Sequence, residues 1–106
     1  MARNIDKLVH DLSGCKTGLE FLLGRLTQAE ASLNDQMIQG ASTAIGLYAL
    51  KVGENDTSTL GETVEKTSNS LIERLNALKT NLTGENTQQE LSRAIDEIAL
   101  ILQKCQ

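Results

Sequence analysis

The chain of 106 residues carries 10 lysines and arginines against 14 aspartates and glutamates, a net charge of -4. That balance argues against the basic stripe on which nucleic-acid binding draws. With 17 leucines, only Phe21 and Tyr48 as aromatics, and no proline or tryptophan, a β-sandwich or barrel is excluded, and the ordinary aliphatic content argues against disorder.

One domain over 1–106 is the expectation for this length. Met1 to His10 holds no apolar stretch of the secretory kind. The longest apolar-leaning stretch, Gly40 to Leu50, includes Ser42 and Thr43 and falls short of the ~20 apolar residues a membrane helix needs. The expectation is a cytoplasmic protein that engages neither membrane nor nucleic acid.

The first element is a helix over about 3–31. Ile5, Leu12, Leu19, Leu26 and Leu33 recur every seven residues, with Leu8, Cys15, Leu22 and Ala29 three positions later. A 3.5-residue period marks a coiled-coil-like helix whose seam faces another helix throughout. Val9 and Leu23 broaden the stripe, which favours a bundle over an isolated coiled coil.

After Leu33 the phase changes, and the apolar series becomes Met37, Ala41, Ala44 and Tyr48. Ser32 to Asp35 supplies residues that cap a new helix, so the second helix is placed at about 35–51. The alternative is a stutter inside one helix over 3–51. Such a helix would run about 70 Å and need a second chain to cover its stripe.

Gly53 to Thr59 reads GENDTST, the clearest loop in the chain. Thr59-Leu60-Gly61-Glu62 then fits a capping box opening a third helix, about 59–82. Its stripe is Leu60, Val64, Thr67, Leu71, Leu75, Leu78 and Leu82. Thr87-Gln88-Gln89-Glu90 repeats the capping pattern before a fourth helix, about 87–105, with the stripe Leu91, Ile95, Ile98, Leu102 and Cys105.

The expected fold is therefore all-α: a small antiparallel bundle of three or four helices, dimeric through its excess of apolar seam. Its core is expected to include Leu12, Leu19, Leu22, Leu26, Leu71, Leu75, Leu78, Ile95, Ile98 and Leu102.

Little in the chain suggests chemistry. His10 is the sole histidine and lies beside the leucine seam, with no further imidazole or thiolate ligand close in sequence. Cys15 reads as a small apolar filler; Cys105 lies next to the last residue. Glu62 and Glu65 share a helix face, which more often serves the helix dipole than acid–base work. The loop acids lack the spacing of a calcium loop. No nucleophile with a base and an orienting group emerges, so neither an enzyme nor a cofactor or metal protein is expected.

Gly14, Gly18 and Gly24 interrupt the first helix, and Gly40 and Gly46 join Ala41, Ala44 and Ala49 in a second small-residue surface. Small side chains permit close helix packing, or open a shallow groove. Gly40, Ala41, Ala44, Ile45 and Tyr48 form the candidate interaction surface.

Three functions follow as expectations. The first is a non-enzymatic interaction module, an adaptor, regulator or inhibitor acting through helix–helix contacts. The second is an oligomeric protein binding a small ligand near residues 40–50. The third comes from a resemblance: the length and mid-chain loop resemble those of the ESAT-6-like secreted helical hairpins. That family's Trp-x-Gly turn is missing, and Lys51-Val52-Gly53 stands here instead.

Overall fold

A computed structural model describes residues 4–28 and 35–105. The described elements are helices α1 (Asn4–Gln28), α2 (Asp35–Gly53), α3 (Glu62–Thr80) and α4 (Thr87–Lys104), with a short 3-10 turn at Ser58–Leu60 before α3. The ends expected for the first helix at 3 and 29–31, and the seam positions Ala29 and Leu33, lie outside the described residues.

The helices form an antiparallel four-helix arrangement, 47 × 23 × 20 Å in extent. Tyr48 packs on Gly18 and Asn55 reaches Asp11, so α2 runs back along α1 and residues 3–51 are not one helix. Ser42 Oγ donates to the Lys79 carbonyl at 2.8 Å, joining α2 to α3. Arg74 on α3 reaches Glu97 on α4 at 2.7 Å, and α4 closes the ring against α1. The mid-chain loop thus joins the second helix to the third, and a two-helix hairpin is not what forms.

The core is almost wholly aliphatic. Leu8, Leu12, Cys15 and Leu19 come from α1; Ile45, Ala49 and Val52 from α2. Val64, Leu71, Leu75 and Leu78 come from α3, and Leu91, Ala94, Ile98 and Ile101 from α4, with Leu82 between the last two. Of the expected core, Leu22, Leu26, Ile95 and Leu102 are only partly buried against this cluster.

The stripes of α2 and α4 sit at a different angle from the expected ones. α4 touches both α3 and α1, so the middle of its buried face falls between them, at Leu91, Ala94, Ile98 and Ile101. Ile95 and Leu102 become its margins. α2 is likewise held between two helices, and buries Ile45, Ala49 and Val52 rather than the Met37-Ala41-Ala44-Tyr48 column. On α3 the small hydroxyl of Ser68, not Thr67, is buried.

Both expected capping boxes are replaced by other devices. Helix α3 starts at Glu62, not 59, because Gly61 adopts φ 113°, a left-handed conformation that redirects the chain. The preceding turn is closed by Leu60 N–H to the Thr57 carbonyl and capped by Asp56, whose Oδ1 accepts from Ser58 N at 3.0 Å and Ser58 Oγ at 2.5 Å. At α4 the cap position is Asn86. Thr87 is buried and donates to the Asn81 and Gly84 carbonyls at 3.0 and 2.9 Å. The Glu90 carboxylate is drawn to Arg74 instead of reaching back to the helix start.

Candidate functional site

Among the described residues, the seam between α1 and α2 is the least extensively packed of the adjacent helix pairs. Midway along it the Tyr48 side chain lies over Gly18 so closely that a Cβ there would overlap the phenol. Glycine at 18 is what lets the phenol end of Tyr48 approach α1 so closely. Tyr48 thereby splits the seam into two hollows of different chemistry.

Toward the end of α1 and the start of α2 lies an apolar cleft of about 350 Å³. Its α1 wall is Phe21, Leu22, Arg25 and Leu26. Its α2 wall is Met37, Ile38, Gly40 and Ala41, with Ile45, Leu82 and Leu91 also lining it. Phe21 is 64% exposed. The Arg25 guanidinium sits 5.7 Å from the centre of its ring, within cation–π range. No described carboxylate pairs with Arg25.

On the other side of Tyr48 is a more open and more polar hollow lined by His10, Asp11, Ser13, Cys15, Thr17 and Lys51. A latch closes its far end. The Asp11 carboxylate accepts from Lys7 Nζ and from Asn55 Nδ2, each at 3.0 Å. Asn55 Nδ2 also donates to the Lys51 carbonyl at 2.8 Å. The hydrogen bond from Asn55, then that from Lys7, holds the Asp11 carboxyl below the usual carboxylate range. Burial pushes the Cys15 thiol up, holding it protonated. Burial likewise raises the Tyr48 phenol. Both Cys15 and Cys105 are free thiols.

The candidate surface residues divide between these features. Gly40, Ala41 and Ile45 line the apolar cleft, but Ile45 is fully buried and serves as cleft wall rather than outer surface. Tyr48 is the divider and borders the polar hollow. Ala44 is half-buried and does not line the cleft. Phe21 and Arg25 complete the site and were not among those residues. Their signal was available in the sequence: Phe21 is a large aromatic placed off the leucine seam.

Among the described residues no group of three histidines, cysteines or acids could hold a metal ion. No described helix is long and apolar enough to cross a membrane. The chain matches no protein-family model, and searches among curated proteins and solved structures return no match.

Proposed function

We propose that the chain is a small, non-enzymatic interaction module, an adaptor, regulator or inhibitor, that binds through the exposed side of α2, with a second copy of itself as the first occupant. One observation carries this reading. Between Asp35 and Lys51 helix α2 has no charged residue, yet Leu47 and Leu50 stand 53% and 59% exposed one turn apart. Scattered exposed leucines are ordinary. Two on one turn of an uncharged helix, in a chain 23% charged, leave a face that only another apolar surface complements. A second copy offers the identical face, and a two-fold contact makes it self-complementary.

Sedimentation of the full chain at several concentrations tests this. A dimer is expected, and Leu47→Glu with Leu50→Glu should shift it to monomer while the far-ultraviolet helix signal is kept. A wild-type chain that stays monomeric at high concentration would refute self-association through this face.

The apolar cleft supports a second reading, a site for a small molecule. Its volume lies at the lower end of the roughly 300–1,000 Å³ of ligand pockets, and Gly40, Ala41 and Ile45 belong to it. Native mass spectrometry of the protein taken gently from its host separates the readings. A mass of twice 11.5 kDa supports the dimer, and an added few hundred daltons, as an order of magnitude for a pocket-sized ligand, supports the small molecule.

A further inference from the structure

We infer that the α1–α2 cleft binds a small amphipathic monoanion, an apolar tail or ring ending in a carboxylate, with Arg25 as the headgroup contact. The inference deepens the small-molecule reading and rests on it.

The cleft is apolar on every wall except one. Leucine, isoleucine, methionine and alanine side chains line it, and the single charged group among its lining residues is the Arg25 guanidinium. A ligand that fills it must therefore be apolar over most of its length, and among the described residues it meets charge at one place only.

Arg25 is suited to that place. No described acid pairs with it, whereas the other described arginines, Arg74 and Arg93, each have a carboxylate within 4 Å. Its guanidinium is stationed against the Phe21 ring, which limits its freedom before any ligand arrives. A guanidinium presents a planar fork of donors that matches a carboxylate in two parallel hydrogen bonds. Arg25 is exposed, and the apolar walls shield such a pair from water on the cleft side only. One arginine balances one negative charge; a phosphate, carrying closer to two, would call for further donors that the described lining residues do not supply. The limited volume restricts the tail to a medium-length chain or a single ring system.

The test uses the full chain and three probes built on ten-carbon chains, decanoate, decanol and decyltrimethylammonium. Each is titrated calorimetrically below the concentration at which it forms micelles. Decanoate should bind about tenfold tighter than decanol, the factor expected of one charge-assisted contact, and the cationic probe weakest. Arg25→Gln should bring decanoate down to the affinity of decanol and leave decanol unchanged. Gly40→Leu should abolish binding of all three. Gly40 lines the cleft and a Cβ there meets nothing within 4 Å, so the helix accommodates this variant.

Decanol and decanoate binding equally well, or Arg25→Gln leaving decanoate unaffected, would overturn the anion inference and keep the pocket. Failure of every probe to bind, or equal binding by Gly40→Leu, would overturn the pocket as well.

Discussion

At the scale of single residues, the glycines of α1 separate cleanly by what surrounds them. A Cβ added at Gly14 meets nothing within 4 Å, while one at Gly18 overlaps Tyr48. Alanine in place of glycine inside a helix is favourable by about 0.5–1 kcal/mol. Gly14→Ala should therefore raise the melting temperature by a few degrees. Gly18→Ala gains the same propensity but expels the ring from the seam, losing about 1–2 kcal/mol of aromatic burial, and should lower it. In a Tyr48→Ala background Gly18→Ala should become stabilising, because the overlap is gone. Tyr48 is the only tyrosine and the chain has no tryptophan, so its fluorescence reports directly whether the ring has left the seam. Equal effects of alanine at 14 and 18 would show that the Tyr48–Gly18 contact does not hold in solution.

At the scale of elements, α3 and α4 are joined by one clamp. Arg74 Nε donates to Glu97 Oε1 at 2.7 Å, and its Nη1 to Glu90 Oε2. All three side chains are only partly exposed, Glu97 least at 18%. An apolar residue at 74 would leave two partly buried carboxylates two turns apart on α4 with no described cation near them except Arg93, 3.9 Å from Glu90. Arg74→Met should cost about 2 kcal/mol in denaturant unfolding, below the 3–5 of a fully buried pair because solvent screens this one. Arg74→Lys should recover only part, since one ammonium cannot fork to both acids. Both variants within ~0.5 kcal/mol of wild type, the usual scatter of surface substitutions, would show the clamp to be idle.

None of that clamp was legible in the sequence, where residues 74, 90 and 97 form no local pattern. What was legible is whatever repeats along one helix. The seven-residue recurrence on α1, the GENDTST loop and the 4-3-4-3 stripe of α4 point to a bundle of three or four helices, and leave open whether 3–51 is one helix or two. The angle of each stripe was not legible, because it depends on how many neighbours a helix has. Ala94 is buried and Ile95 marginal only because α4 lies between α3 and α1. The cleft shows the same limit. Gly40 and Ala41 stood out as small residues on one helix, but Leu82 and Leu91 reach it from distant stretches of chain, and Arg25 matters only by its place at the rim.

At the scale of the whole molecule, the two ends of the bundle differ in what closes the α1–α2 seam. One end holds the apolar cleft. The other is tied by charge, with Asp11 bridging Lys7 and the Asn55 side chain of the mid-chain loop. That difference carries a pH dependence with a definite sign. The folded-state pKa of Asp11 is lowered, chiefly by the Asn55 hydrogen bond, and that of Asp56 is lowered by Ser58. A carboxyl with a depressed folded-state pKa stabilises the fold when ionised. Its contribution is complete above the ordinary carboxylate range and is lost as pH falls through the folded value. Thermal stability should accordingly hold steady from neutral pH down to that range and fall below it. Asp11→Asn keeps the shape of the side chain but removes the titration. Its melting temperature should lie below wild type near neutral pH, fall less steeply in acid, and approach the wild-type curve where Asp11 is protonated. Melting curves recorded from neutral to strongly acid buffer decide the matter. Two parallel profiles would mean that Asp11 does not titrate with folding, and the convergence of the profiles in acid would place the electrostatic tie at the loop end of the seam.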